Sequence, residues 1–198
     1  MRWTCCIATA LLAPALAACA SSPVALVALP PAPYSAADHD DSRSAQTTIL
    51  VRPVVLPGYL SAYPVVIGRK GNTLIVSDKT EWAEPFSDAV ARVLRHALSQ
   101  RLGASRVLIA GDGRIPDADL TVEFLALDPQ QGALRLDAKW SFSCTGGDRA
   151  SHGGRTSLEI PLEAATATAV AAATADALGR LADVLATQAE CVSSDLAK

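Results

Sequence analysis

The sequence is poorer in chemistry-bearing patterns than in hydrophobic ones. It has no basic block, and its formal net charge is −3 at pH 7. That excludes nucleic-acid binding through neutralised phosphates. No G-x-S-x-G elbow occurs, nor a G-x-x-x-x-G-K-[ST] phosphate loop, nor H-E-x-x-H. The chain has three histidines in 198 residues. His39 lies in Asp38-His39-Asp40-Asp41. With no second histidine at ligand spacing, that cluster reads as a solvated acidic loop and not a metal site. His152 falls in a Gly-rich turn, and His96 reads as a surface or partly buried helix residue. Gly111-Asp112-Gly113 and Gly153-Gly154 read as turn chemistry and not phosphate cradles. Glu84 beside Trp82 reads as a helix-start carboxylate, where the helix dipole favours negative charge. The residues therefore predict no catalytic site, metal or cofactor.

Half the chain is hydrophobic, much of it alanine, so the apolar surface is broad but shallow. Met1-Arg2 is a short positive start, and Cys5 to Ala18 is apolar but too short to span a bilayer. This predicts a signal peptide over 1–18. Its end, Leu16-Ala17-Ala18-Cys19, resembles the bacterial lipobox, in which the cysteine thiol receives a diacylglycerol thioether. An ordinary A-x-A cleavage site with an incidental cysteine is the alternative. On the lipobox reading the mature chain begins at lipidated Cys19, with residues 19–22 as its spacer. Ala20 follows the cysteine. By resemblance to the sorting pattern that retains Asp-bearing lipoproteins at the inner membrane, this chain is expected at the outer membrane, facing the periplasm. Of five cysteines, Cys5 and Cys6 leave with the signal and Cys19 is lipidated. Cys144 and Cys191 remain, an even pair in an oxidising compartment and candidates for one disulfide. Two buried free thiols are the alternative.

Residues 23–198 read as a single periplasmic domain. Pro23 to Pro30 is an apolar stretch bounded by prolines, as a short buried strand would be. Residues 31–46 lack periodicity and read as a loop. Thr47 to Leu56 reads as a strand ending at Pro57-Gly58, and Val65–Ile67 and Leu74–Val76 flank a hairpin turn. In 81–103, Phe86, Val90, Val93, Leu94, Ala97, Leu98 and Leu102 form one apolar helical stripe. Pro85 suits the first helical position, and Gly103 suits the end. Arg92, Arg95 and Arg101 fall largely off the stripe, and Trp82 is placed to fold back on the first turn. A short strand follows at Arg106 to Ala110. Leu120 to Ala126 and Leu134 to Cys144 alternate apolar with polar, turning at 128–132. A strand over 155–162 follows the Gly-rich turn at 145–154, and Pro161 facing away suggests an edge. Ala164 to Ala189 is a second helix, striped by Val170, Ala177, Leu178, Leu181, Val184 and Leu185. The predicted class is α+β: a mainly antiparallel sheet, mixed pairing allowed, with two amphipathic helices packed against it. The last strand runs back along the one ending at Cys144, and the final helix returns. At about 1.5 Å per helical residue and 3.3 Å per strand residue, the helix is long enough to return to Cys144, so the geometry permits a Cys144–Cys191 bridge.

Leu56-Pro57-Gly58-Tyr59-Leu60, Val65-Val66-Ile67-Gly68-Arg69 and Glu81-Trp82-Ala83-Glu84-Pro85-Phe86 resemble the PqiC-type auxiliary lipoproteins of ABC and MCE transport systems. Val93-Leu94, Leu98, Leu102 and the alanine-rich final helix are similar too, so the likeness spans nearly the whole mature chain. Ser61 and Ala62 stand where that family usually has Asp and Arg, and Glu81 where it usually has Arg. The resemblance implies an outer-membrane-anchored periplasmic subunit of a lipid-trafficking machine. Its partner would be an inner-membrane-anchored MCE-domain protein that forms a hydrophobic conduit. It also implies a homo-oligomeric ring framing the conduit's outer end. Tyr59, Leu60 and Trp82 flank the hairpin and are the expected partner contacts, since aromatic residues there can anchor an interface. The alternative is that they seal the end of the core. An outer-membrane-anchored hydrolase or ligand-binding module, or a structural envelope lipoprotein, are the competing functions.

Overall fold

The computed structural model describes residues 23–34, 47–145 and 151–196, with side chains through 189. The leader, Cys19, the 38–41 cluster and the Cys191 side chain lie outside the described residues. The order is β1 (Ala25–Val27), β2 (Ile49–Val51), a 3-10 turn (Gly58–Leu60), β3 (Pro64–Lys70), β4 (Thr73–Trp82), α1 (Phe86–Leu102), β5 (Val107–Leu108), β6 (Ala118–Gln130), β7 (Ala133–Cys144), β8 (His152–Pro161) and α2 (Ala167–Leu196). The strands form two sheets, ordered β1-β4-β3 and β5-β2-β6-β7-β8. The fold is α+β with mixed pairing. β1 joins β4 in parallel, β2 joins β5 and β6 in parallel, and the remaining ladders are antiparallel.

The β6–β7–β8 meander follows from strict alternation. Leu134, Leu136, Ala138, Trp140 and Phe142 are buried, while Arg135, Lys139 and Ser143 are exposed. The β6–β7 turn narrows to Gln131-Gly132, both at positive φ, which is the pair a two-residue hairpin requires. The predicted turn at 128–132 is therefore shorter, because Asp128 and Pro129 stay in the ladder opposite Arg135 and Leu134. The predicted Gly-rich turn is shorter as well, since His152 to Gly154 belong to β8. Gly154 pairs with Trp140, and a Cβ there would sit 2.6 Å from the Trp140 ring. The glycine is needed for that close approach. β8 is the edge strand that Pro161 suggested.

Every residue of the α1 stripe is buried. Pro85 caps this helix from outside: its carbonyl accepts from the Asp88 and Ala89 amides, and its ψ of 127° is not helical. Gly103 ends it at φ 92°. Arg101 is buried, contrary to its place off the stripe. It donates to Asp183 of α2 at 2.5 Å and to the Ala97 carbonyl, and lies over the Tyr34 ring. The chain over Leu29 to Tyr34 covers that position. Small residues let the two helices meet closely: Ala177, Leu178, Leu181, Ala182 and Leu185 are all fully buried. Each buried leucine contributes about 1.5–3 kcal/mol of transfer free energy, so this seam is a large part of the core.

β1 differs from its expectation. It is not a buried strand but an edge one, with Val24 50% and Leu26 66% exposed. Only Val27, paired with Trp82, turns toward the core.

Candidate functional site

The three expected contact residues lie at different depths, and their partners differ: Tyr59 meets Arg69 near the β3–β4 turn, whereas Trp82 lies at the other end of that ladder. Leu60 and Trp82 are each 5% exposed and belong to the core. Trp82 stacks on Phe86 with ring centroids 4.5 Å apart, the fold-back its position suggested. Tyr59 is half-buried and reaches the surface. Its hydroxyl donates to Asp128 Oδ1 at 2.7 Å, and Arg69 Nε donates to Asp128 Oδ2 at 3.0 Å. The Arg69 guanidinium also lies 5.2 Å above the Tyr59 ring. Burial pushes the Tyr59 phenol up to about 12. The Asp128 hydrogen bond and charge add to the rise, and Arg69 opposes it.

Asp128 and Arg69 were not singled out by the sequence, and the reason is a bulge. Leu120, Val122 and Phe124 share the buried face of β6, and simple alternation would place Asp128 on it too. The ladder shifts register between Phe124 and Ala126. That extra residue moves Leu127 onto the core face and turns Asp128 off it. Asp128 is nonetheless fully buried, because Tyr59 and Arg69 cover it. Its charge is therefore paired and hydrogen-bonded, the condition under which a buried carboxylate is tolerated. This trio joins the 57–60 turn, β3 and β6 at one point.

Other polar contacts are structural. Glu84 accepts from Arg92 at 2.5 Å, and the same Arg92 nitrogen donates to the Leu29 carbonyl, tying the N-terminal segment to α1. On the wet face of the large sheet, the Arg155 hydrogen bond holds the Asp137 carboxyl below the usual carboxylate range, against burial. Trp140 Nε1 donates to Thr156 Oγ1 at 3.0 Å, and His152 stacks on Phe142. A groove of about 250 Å³ runs between the β3–β4 hairpin and the β6–β7 turn, lined by Ile67, Arg69, Ile75, Gln131 and Leu162 among others. It is below the roughly 300–1,000 Å³ of typical small-molecule sites. Among the described residues no group of three His, Cys, Asp or Glu side chains could hold a metal ion. No described helix is long and apolar enough to cross a membrane. Cys144 is half-buried against the core at the end of β7, with no disulfide partner among the described residues.

A family model described as "ABC-type transport auxiliary lipoprotein component" matches residues 28–186. No curated protein matches the chain. A crystal structure of an uncharacterized protein superimposes with a TM-score of 0.67 at 16% identity, covering 84% of this chain and 99% of that one. A Xanthomonas campestris protein of family DUF330 gives a TM-score of 0.62 at 15% identity, covering 76% and 88%. At those identities the two structures support the fold alone.

Proposed function

Because the chain belongs to the family of ABC-type transport auxiliary lipoprotein components, we propose that it is a non-catalytic periplasmic subunit, anchored in the outer membrane, that docks an MCE-protein lipid conduit there. One observation carries this reading. The Leu16-Ala17-Ala18-Cys19 lipobox ends nine residues before a family match that then runs to residue 186. Acyl chains on Cys19 would hold the domain at the bilayer, and several chains make a stable anchor where one is marginal. The domain would then serve as a holder for the conduit's outer end, with copies of the chain arranged as a ring.

The partner contact is assigned to the region of Tyr59. Leu60 and Trp82 are buried in the core, and Tyr59 is half-buried. The burial of Leu60 and Trp82 gives them a positioning role, so truncating either is expected to cost stability as well as capture. Cys144 and Cys191 are assigned as a disulfide. Pro161 pairs with Ala133 at the start of β7, and α2 begins six residues later. The eleven steps along β7 from Ala133 to Cys144 and the 24 along α2 from Ala167 to Cys191 each cover about 36 Å. Non-reducing peptide mapping of the exported protein would find one Cys144–Cys191 peptide pair; two free thiols would remove the bridge.

Affinity capture of the full-length protein from detergent-solubilised envelopes tests the function. The expected result is co-purification of an MCE-domain protein, acylated Cys19, and no turnover of ester or glycosidic substrates. Capture without any MCE protein, or turnover abolished by one polar substitution, would overturn the proposal.

A further inference from the structure

The open face of the three-stranded sheet lies close to the chain's N-terminal end. Pro23 is the first described residue, and four peptide steps separate it from Cys19. A fully extended chain spans at most about 3.6 Å per residue, so Cys19 lies within about 14 Å of Pro23. An acyl anchor on Cys19 would therefore keep the start of β1 within reach of its bilayer.

β1 also carries the wrong chemistry for a strand facing water. Val24 and Leu26 alternate onto one side, at 50% and 66% exposure. The ladder assigns that side. Val27 is level with Trp82, which is buried, whereas Leu26 is level with Glu81, and Glu81 with Pro64. The Leu26–Glu81–Pro64 row is thus the outer row of the sheet. The other exposed apolar side chains of this sheet are not part of that row: Tyr63 is level with Trp82, and Ile75 and Val76 lie beyond the register shifts on opposite faces, with Ile75 lining the groove by the β6–β7 turn. Ile115, at 88%, is the most exposed large apolar side chain described, but it lies elsewhere. Arg114 donates to the Ser105 carbonyl, which places it at the C-terminal end of α1. Trp82 and β1 meet the N-terminal end, one 17-residue helix away, about 25 Å.

We propose that this outer face, centred on Val24 and Leu26, rests in the headgroup layer of the phospholipid bilayer that carries the Cys19 anchor, so that the domain is oriented on the membrane as well as tethered. This rests on the acylation of Cys19 proposed above. Glu81 beside Leu26 keeps the contact shallow, since its carboxylate must stay at the waterline.

The test is amide hydrogen exchange on the acylated full-length protein in phosphatidylethanolamine–phosphatidylglycerol vesicles, alongside a Cys19→Ser chain in buffer. Flotation of the vesicles reports anchoring separately. The expected result is flotation, with exchange over residues 24–28 slowed about tenfold and the 109–115 turn unchanged. An acylated Val24→Ser/Leu26→Ser variant should still float but lose that slowing; both positions are exposed, so its thermal midpoint should match the parent. Flotation with unslowed β1 amides would overturn the orientation and leave the anchor standing. Failure to float, with Cys19 unacylated, would overturn the anchoring reading and this inference together. Slowing that appears without vesicles and grows with protein concentration would assign the face to a second copy of the chain and overturn the inference.

Discussion

The two sheets are stabilised in different ways. The five-stranded sheet is held by repetition: long antiparallel ladders, one apolar face, and α2 laid across β7 and β8. The three-stranded sheet has short or shifted ladders, with two register irregularities between β3 and β4, and it leaves Val24, Leu26, Ile75 and Val76 in the open. It is fixed to the rest by a few specific groups: the Trp82–Phe86 stack and the Asp128 carboxylate shared by Tyr59 and Arg69. The bilayer contact proposed for this sheet would gain from such an arrangement, because the face is positioned without being covered.

The severest way to break the contrast is to hollow the common core. Phe124 is 2% exposed, and Phe124→Ala should cost about 3–5 kcal/mol. Urea unfolding followed by far-UV dichroism and tryptophan emission should show one transition at a lower midpoint by both probes. Separate transitions would mean that the sheets are independent units.

Asp128→Ala sharpens the contrast. It leaves Arg69, whose side chain is 25% exposed, without its buried partner. Removing one member of a buried pair costs about 3–5 kcal/mol, and Arg69's access to water should reduce this to about 2–3 kcal/mol. Hydrogen exchange should quicken chiefly in β3 and β4, with β7 and β8 changed only by the global loss. Equal quickening everywhere would mean that Asp128 does not specifically join the small sheet.

The same division explains what could be read in the sequence. Period-two alternation from Leu134 to Cys144 and the 3.6-residue stripe from Phe86 to Leu102 encode their buried faces locally, so β7 and α1 were legible. The Trp82 fold-back was also local. Asp128 was not, because a bulge reverses alternation and nothing in Asp128-Pro129 distinguishes a ladder from a turn until Tyr59 and Arg69 arrive from 69 and 59 residues away. Arg101 was misplaced for a related reason: its partners, Asp183 and Tyr34, come from distant segments. β1 was read as buried from an apolar run bounded by Pro23 and Pro30, and such a run cannot say whether anything covers it. Of the candidate contacts Tyr59, Leu60 and Trp82, the sequence carried no sign of their different depths.

A milder change, Tyr59→Phe, keeps the ring under Arg69 and removes only the hydroxyl. It should cost about 1.5–3 kcal/mol near neutral pH, the range for a hydrogen bond to a charged group. The pH dependence is more telling. Burial raises the folded-state phenol from 10.0 to about 12. Its contribution is therefore complete below pH 10 and is lost as pH rises through 12, because the unfolded chain ionises first. Wild type should lose stability over that window more steeply than Tyr59→Phe. Identical alkaline limbs would show that the hydroxyl is not held by Asp128 in solution.

The smallest effect belongs to the wet face of the large sheet. Asp137 accepts from Arg155 Nε at 2.7 Å, and that bond is the leading cause of its lowered pKa, ahead of the opposing effect of burial. A depressed carboxyl contributes stability that is present above its unfolded value, near 3.8, and lost as pH falls through the folded one. Arg155→Gln removes the chief cause and leaves the burial, with Arg135 and Ser157 as weaker compensation. Arg155 is itself largely exposed, so the loss should be small, but by this linkage it is present in full near pH 7 and shrinks as Asp137 protonates. The acid-unfolding midpoint, followed by far-UV dichroism, should accordingly move to higher pH. The move should come as loss of β7–β8 protection, with the β3–β4 hairpin following only at global unfolding. An unchanged midpoint would mean that the pair is open in water and that the large sheet owes its stability to repetition alone.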